Sequence, residues 1–348
     1  MPKPEIKKTQ VDTLADLLSN AENIKALHGK EFAEVFSNDE NIRSFIDELD
    51  KNTFIELLNS INGIIRGADK KDWTMAKGSV PITMGAKGEG LPDYTPPHAK
   101  DREMLFTAVL HAMQEMAKTE RSFEDIAILL SSSVNAIHAY PDANGRTSRL
   151  LYLLLTKGFN KESESIIKQA LSEEGRDIVD VNPEKIEKEL QNAMVKRVNF
   201  KRPIGLWERE KERKDIAFDE SLPHELRSGL IEMLADVSYS SIALHRYLNN
   251  RSDSERYLKY YPSRETKWGG KLRTLPELNN VLVEGLFKDL DEAQAREILS
   301  IYRQTKIEMI HTLIDSVVRS DETDYTDANG TTILERFKQM IKRDSKIE

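Results

Sequence analysis

Residues 123–159 read FEDIAILLSSSVNAIHAYPDANGRTSRLLYLLLTKGF, two apolar runs joined by a short polar segment. The second run is rich in leucine and ends at Gly158, a residue type that often follows a helix. In the first run, apolar residues recur at the spacing of one helix face, at Ile126, Leu129, Leu130, Val134 and Ile137. The pattern predicts two buried helices, Phe123 to Ile137 and Thr147 to Phe159, around the segment HAYPDANGRTSR at residues 138–149.

This segment has the composition of a tight turn that opens into a helix. Asp142 and Asn144 can bond nearby backbone groups, and Gly145 can adopt a left-handed conformation without a Cβ clash. Such a turn exposes amide hydrogens at the positive end of the helix dipole, where phosphate oxygens bind well. The sequence therefore predicts an anion site in the loop from Ala143 to Gly145.

The charged side chains of the segment have the properties that phosphoryl transfer needs. Arg146 and Arg149 are three residues apart, hence on one helix face, and each can offer a forked pair of donors to phosphate. Asp142 supplies a hard oxygen for Mg²⁺, which takes one or two carboxylates and fills its other positions with phosphate oxygens and water. His138, with an ordinary pKa of about 6.5, can accept a proton from a hydroxyl near neutral pH.

The segment resembles the signature of Fic-domain proteins, HxFx(D/E)GNGRxxR, with Tyr140 in place of the phenylalanine and Ala143 in place of the first glycine. The usual reaction of that family is transfer of AMP from ATP to a Ser, Thr or Tyr hydroxyl of a protein. Relatives that phosphorylate their targets carry lysine after the motif asparagine. This chain has Gly145 there, which favours nucleotidyl transfer over phosphorylation.

The resemblance also implies a role for each polar position of the motif. His138 is expected to be the general base, and Asp142 is expected to bind Mg²⁺ between the α- and β-phosphates of ATP. The loop from Ala143 to Gly145, with the backbone of Asn144 and Gly145, is expected to cradle the phosphates. The β- and γ-phosphates are expected to be held by Arg146 and Arg149. Two alternatives stay open: another Fic-type transfer, such as that of UMP, and a catalytically silent helical interaction module.

A second resemblance lies upstream, at residues 78–97, which read GSVPITMGAKGEGLPDYTPP. Fic proteins have a β-hairpin flap here that aligns the target's modifiable segment. Val80, Ile82 and Met84 alternate as in a strand, and three nearby glycines permit a turn. An exposed hairpin edge can hold an extended peptide by backbone pairing. We therefore expect a target protein to dock along residues 78–97.

Many Fic proteins inhibit themselves with a helix that carries (S/T)xxxE(G/N), whose glutamate pairs with the second motif arginine. The chain has no full match. Ser44 and Glu48 have the spacing on a predicted helix, but Leu49 follows; Thr331 and Glu335 also have it, but Arg336 follows. An inhibitory helix in cis containing Ser44 and Glu48, inhibition by a partner protein, and no inhibition at all stay open; the plain alternative for Ser44 and Glu48 is an ordinary helix surface.

The 348 residues allow two or three domains. We predict a mainly α fold with a Fic-type helical core and a short β-hairpin flap, flanked by helical segments. The predicted divisions are an N-terminal helical segment (1–70), the core with flap and motif (71–215), and a helical C-terminal domain of unknown role (216–348). In the last, helical patterns cover Pro223 to Leu248 and Glu292 to Val318.

Composition excludes several classes of protein. The chain has no cysteine, which excludes disulfides and thiolate metal sites. Its net charge of −8 is spread along the sequence and argues against a nucleic-acid partner. The first ten residues lack the apolar run of a signal peptide, and no apolar stretch is long enough to cross a bilayer. We therefore expect a cytoplasmic protein without a membrane partner, although delivery to another cell stays open.

Overall fold

The computed structural model describes residues 32–77, 95–119, 121–158, 166–167, 169–171, 190, 221–249, 290–320 and 331–341. Over these ranges the protein is mainly helical, as predicted. The α-helices in them are α1 (Phe32–Val35), α2 (Asp39–Glu48), α3 (Lys51–Arg66), α4 (Arg102–Lys118), α5 (Phe123–Ile137), α6 (Asn144–Lys157), α7 (His224–Ala235), α8 (Val237–Asn249), α9 (Glu292–Val318) and α10 (Ile333–Ile341). Short 3-10 helices cover Lys70–Asp72 and Ala99–Asp101.

Most of the predicted flap, residues 78–94, lies outside the described residues, so the hairpin stays a prediction. None of the described helices is long and apolar enough to span a membrane. The chain divides into two compact units. One contains residues 1–80, 97–190 and 310–348, and the other contains residues 81–96 and 191–309. The predicted divisions at residues 70 and 215 stay predictions.

The first unit is built around α5 and α6, which pack closely against each other. Helix α5 begins after Ser122, whose Oγ accepts a hydrogen bond from the Asp125 amide at 3.2 Å. It ends at Ile137, where the sequence predicts. Its side chains between these ends are almost all buried, and each fully buried large apolar side chain stabilises the fold by about 1.5–3 kcal/mol. The loop that follows α5 is therefore held at both ends by core helices.

The N-terminal helices belong to the same core because their apolar faces pack on it. Helix α2 packs against α4, and α3 packs against both α4 and α6. On α3, Phe54, Leu58 and Ile61 are at most 1 % exposed, and the Phe54 ring meets that of Phe106 edge-on at 6.4 Å. Helices α2 and α3 therefore form part of the same apolar core as α4 and α6.

The end of the chain also reaches α5. Helix α10 packs against α5, and Lys338 Nζ lies 2.6 Å from a carboxylate oxygen of Asp125. A capping box starts α10: the Thr332 amide donates to Glu335 at 2.9 Å, and the Glu335 amide donates to Thr332 Oγ1 at 3.1 Å. The Thr331 to Glu335 spacing noted in the sequence thus includes a glutamate that caps a helix.

In the second unit, the pattern from Pro223 to Leu248 forms two helices rather than one. The break falls at Asp236, whose backbone (φ −87°, ψ 77°) is not helical. The Asp236 carboxylate accepts hydrogen bonds from Lys306 Nζ at 2.8 Å and from the Tyr302 hydroxyl at 2.7 Å. Lys306 and Asp236 are almost fully buried. Removing either partner would leave an uncompensated buried charge, so this pair fixes α9 against the break.

Candidate functional site

His138 is the first residue after α5 and adopts a left-handed conformation (φ 44°, ψ 52°). Its amide donates to the Val134 carbonyl at 3.1 Å, which ends the helix and turns the chain into the loop. The side chain is half-buried, and Nδ1 is buried without a hydrogen-bond partner among the described residues. Burial lowers the pKa of His138 to about 4, although the Asn135 backbone partly opposes this; the charge of Arg102 lowers the pKa further and that of Asp142 raises it. The imidazole is therefore neutral at pH 7 and able to accept a proton.

The loop has a second left-handed residue, Ala143 (φ 63°, ψ 13°), immediately before α6. The sequence indicated Gly145 as the residue that can adopt this conformation, whereas Gly145 lies in the first turn of α6 with ordinary helical geometry. Helix α6 begins at Asn144, three residues earlier than the leucine pattern indicates, so the turn is tighter than predicted. Ala143 occupies the position where the Fic signature has glycine, and a Cβ in this conformation costs about 1–2 kcal/mol.

Asn144 closes the loop with its side chain. Its Oδ1 accepts from the Tyr140 amide at 3.0 Å, and its Nδ2 donates to the Tyr140 carbonyl at 2.7 Å. Both bonds are buried, and Asn144 is 2 % exposed. The asparagine was predicted as part of the phosphate cradle through its backbone. Its side chain has a separate structural role, because its two hydrogen bonds to Tyr140 fix the backbone conformation between His138 and Asp142.

Tyr140, which stands where the signature has phenylalanine, points into the core and is fully buried. Its hydroxyl has no hydrogen-bond partner among the residues that the structure describes. Burial raises the pKa of Tyr140 far above its usual range, while the charge of Arg66 partly opposes this. The aromatic ring anchors the loop as a phenylalanine would, and the additional hydroxyl costs free energy.

Asp142 is the most exposed of the predicted site residues that carry a charge, with 69 % of its side chain accessible. Its Oδ1 accepts from the Ala143 amide at 2.5 Å, and its Oδ2 accepts from Arg146 Nη2 at 3.2 Å. The carboxylate is thus oriented by the turn itself while Oδ2 faces the same side as Arg146. Arg146 is itself 20 % accessible.

Arg149 lies one turn further along α6 and is only 6 % exposed. Its Nε donates to the Ala170 carbonyl at 2.7 Å, which fixes the guanidinium against the chain beyond α6. The Arg149 Nη1 atom lies 3.8 Å from where a Cβ at Gly145 would be. The guanidinium therefore lies beside the first turn of α6, where helix geometry leaves the amides without intrahelical acceptors.

The structure places all seven predicted residues on one loop and the first two turns of α6, and it also shows residues that the sequence did not reveal. Asn62 on α3 is fully buried; its Nδ2 donates to the Asp142 carbonyl at 3.0 Å and to Thr147 Oγ1 at 3.1 Å. Arg66 Nε donates to Asn62 Oδ1 at 2.8 Å. In the sequence, the only sign of this role was that Asn62 is a polar residue within the largely apolar run FIELLNSINGII at residues 54–65.

Arg102, at the start of α4, was also missed. It is fully buried, and its Nη1 donates to the carbonyls of Ala76 at 2.7 Å and of Ala139 at 3.3 Å. The Ala76 amide in turn donates to the Ala139 carbonyl at 2.8 Å. No sequence pattern pointed to this arginine, because its partners are backbone groups distant along the chain.

The two residues considered for inhibition in cis lie on the exposed surface of α2. Ser44 Oγ donates to Glu48 Oε1 at 2.8 Å, a bond between neighbours one turn apart. This geometry is that of a solvated helix face, and the inhibitory role of the pair stays a prediction.

The donor set around Asp142 fits Mg²⁺ held jointly with phosphates rather than a metal site formed by protein groups alone. Among the described residues, no cluster of three or more His, Cys, Asp or Glu side chains is arranged to hold a metal ion. An accessible carboxylate beside a helix N-terminus suits a cation that takes one or two protein oxygens and completes its shell with phosphate oxygens and water.

The family model described as "Fic/DOC family" matches residues 18–156. The match runs through α1 to most of α6 and contains the whole motif segment at residues 138–149. No curated protein and no solved structure is significantly similar to the chain. This match supports nucleotidyl transfer of the Fic type as a general activity of residues 18–156. The chain therefore carries a Fic/DOC family domain at residues 18–156, as the resemblance of its loop implied.

Proposed function

We propose that the protein is an adenylyltransferase that moves AMP from ATP to a Ser, Thr or Tyr hydroxyl of a target protein. One observation carries the proposal: the neutral, half-buried His138 and the first turn of α6 lie at the two ends of a loop of five residues, 139–143, that the side chain of Asn144 bonds in place. A base at one side and an anion site at the other is the arrangement that in-line attack on a phosphate requires.

In the proposed step, the target hydroxyl gives its proton to His138 while its oxygen attacks the α-phosphorus of ATP. The new bond joins that oxygen to the α-phosphorus, and the bond from the α-phosphorus to the α–β bridging oxygen breaks. Pyrophosphate leaves with the electron pair of that bond. His138 later returns its proton to solvent, so the protein is regenerated without a redox partner. Because its pKa is low, His138 is deprotonated before the reaction. The same low pKa makes transfer of the proton to His138 less favourable.

The phosphates of ATP would lie against the first turn of α6. Amides of Asn144 and Gly145 belong to the positive end of a helix of 14 residues, a favourable place for anionic oxygens. Arg146, which is partly accessible, is suited to bind the β-phosphate, and the fixed guanidinium of Arg149 is suited to the γ-phosphate. Arg149 costs little ordering entropy on binding, because its position is already set.

Asp142, through its accessible carboxylate, would be the residue that holds Mg²⁺. When bound, the ion neutralises charge on the leaving pyrophosphate. Arg146 Nη2 donates to Asp142 Oδ2, so the residue that would hold Mg²⁺ and the residue suited to the β-phosphate lie side by side.

A target protein docked along residues 78–97 would present its hydroxyl to His138. This position rests on the family's flap and on the alternating apolar pattern there. Regulation by an inhibitory helix would require Glu48, or a glutamate from a partner protein, to reach Arg149. Inhibition in cis through Glu48, inhibition by a partner protein and the absence of inhibition stay open.

The proposal is tested by incubating the protein and a His138→Ala variant with Mg²⁺, a cell lysate and α-labelled ATP. Labelled protein bands that depend on His138 support AMP transfer. Parallel reactions with γ-labelled ATP and α-labelled UTP distinguish phosphorylation and UMP transfer. Labelling only with γ-labelled ATP or only with UTP would replace AMP transfer with that reaction. Nucleotide binding without any transfer would favour a silent interaction module.

A further inference from the structure

Arg102 is a full positive charge buried at a place where burial is expensive. The side chain is 0 % exposed, and it stands in the first turn of α4, where the helix dipole also disfavours a cation. Burial lowers its pKa from the ordinary value. An apolar residue of similar length would fill the same space without these costs. The hydrogen bonds of the guanidinium are therefore what distinguishes arginine at this position.

Those bonds join two segments that are distant along the chain. Nη1 donates to the carbonyl of Ala76 and to that of Ala139, and the Ala76 amide also donates to the Ala139 carbonyl. Ala139 directly follows His138, whose left-handed backbone aims the imidazole. Ala76 lies two residues before the predicted flap. The same guanidinium therefore fixes the peptide next to the base and the start of the segment that would present the target.

We propose that Arg102 is a positioning residue for the transfer reaction, which locks the peptide after His138 to the chain that leads into residues 78–97. This inference rests on the proposed function, since it assigns Arg102 a part in that reaction. Electrostatics supports it independently, because the charge of Arg102 disfavours a proton on His138 and so favours the form that accepts one.

The chain offers a matched control in Arg43. Its Nη1 and Nη2 donate to the carbonyls of Ala117 and Arg121, each at 2.9 Å, and its guanidinium lies 4.6 Å from the centre of the Phe123 ring. Arg43 thus also joins two backbone carbonyls. It does so at the far end of α4, where Ala117 is 15 residues or about 22 Å along the helix from Arg102.

The test compares Arg102→Met, Arg102→Lys and Arg43→Met with the wild type in steady-state AMP transfer. Arg102→Met is expected to lower kcat by about 10- to 100-fold because the base is misplaced, while KM for ATP changes less than about twofold. Arg102→Lys should recover part of kcat, since it keeps one donor and the charge. Arg43→Met should keep kcat. A kcat in Arg102→Met equal to that of Arg43→Met would overturn the inference.

Hydrogen exchange at the Ala76 amide gives a readout that needs no activity. This amide donates to Ala139, so Arg102→Met is expected to speed its exchange by at least about fivefold, whereas Arg43→Met should not. If the wild type transfers no AMP, the proposed function fails while exchange still decides whether Arg102 locks the two segments. Unchanged exchange at Ala76 would reject the lock even in an active enzyme.

Discussion

Asn62 on α3 donates through Nδ2 to the main-chain carbonyl of Asp142 at 3.0 Å, so a helix from the N-terminal part of the chain holds the peptide of the proposed metal ligand. The same Nδ2 bonds Thr147 Oγ1 on the first turn of α6, and Arg66 fixes the amide's orientation by donating to Oδ1. The loop between α5 and α6 is therefore braced from outside by α3 as well as from inside by Asn144.

Replacing Asn62 by leucine keeps the volume but removes all three hydrogen bonds. We expect the free energy of unfolding to fall by about 1–3 kcal/mol, because Thr147 Oγ1 is left buried without its donor. We also expect a higher Mg²⁺ concentration at half-maximal nucleotide binding, since Asp142 is less well held. Chemical denaturation and a calorimetric Mg²⁺ titration measure the two effects.

Asn59 provides the control on the same helix. Its Oδ1 is buried without a donor among the described residues, so Asn59→Leu removes no bond of that atom and should leave the Mg²⁺ dependence unchanged. If Asn62→Leu and Asn59→Leu had equal Mg²⁺ requirements, the bracing role of Asn62 would be lost.

Ala143→Gly is expected to stabilise the protein by up to about 1 kcal/mol. Glycine relieves the cost of a left-handed Cβ, about 1–2 kcal/mol, and gives back part of it through greater freedom of the unfolded chain. Ala136→Gly, in the ordinary helical backbone of α5, is the comparison and should cost about 1 kcal/mol. Equal losses of stability in the two variants, measured by denaturant titration, would contradict the backbone assignment.

Tyr140→Phe is expected to raise the free energy of unfolding by about 1 kcal/mol, because it removes a buried hydroxyl that has no partner in the described region. The ring stays in place, so nucleotide binding should not change. Tyr152→Phe is a useful counterpart, since the Tyr152 hydroxyl contacts Glu124 at 3.4 Å and its removal should not stabilise. A less stable Tyr140→Phe would indicate that the hydroxyl is bonded after all.

The rate of transfer should stay nearly constant as the pH falls from 7 to 5.5. Burial, the largest influence, lowers the pKa of His138 to about 4, so the base keeps its neutral form throughout this range. With the ordinary pKa of about 6.5, only roughly a tenth would be neutral at pH 5.5. A rate profile that halves near pH 6.5 would contradict the buried state of His138.

The lowered pKa of His138 also makes the stability of the fold depend on pH. In the unfolded chain His138 takes up a proton near pH 6.5, whereas in the folded protein it stays neutral down to about pH 4. The stabilising contribution of neutral His138 to the free energy of unfolding is therefore fully present above pH 6.5 and is lost as the pH falls from 6.5 to about 4. In His138→Ala, the loss of stability between pH 6.5 and 4 should be smaller, as measured by thermal melts.

Local sequence was sufficient for the parts of the site that depend on local structure. The apolar period of residues 123–137 predicted α5 with its bounds, and the polar string after it brought His138, Asp142 and both arginines together on the loop and the first two turns of α6. The sequence pointed to Gly145 for the left-handed backbone that Ala143 adopts, because a glycine indicates where such backbone is easy and cannot say where helix α6 begins.

The contacts that hold the loop could not be read from the sequence. Asn62 is 80 residues before Asp142, and Arg102 acts on carbonyls that any residue could supply. A side chain that bonds a backbone group can do so with any residue type, so no second residue in the sequence reveals the contact. The helix break at Asp236 was missed for a related reason, since Lys306 and Tyr302 lie far along the chain.

The central claim is that His138 is the base of an AMP transfer at an intact nucleotide site. The most direct measurement compares wild type and His138→Ala for covalent incorporation of α-labelled ATP and, by calorimetry, for ATP affinity with Mg²⁺. We expect His138→Ala to lose incorporation by at least about 100-fold while its ATP affinity stays within about threefold. Incorporation that persists in His138→Ala would contradict the account.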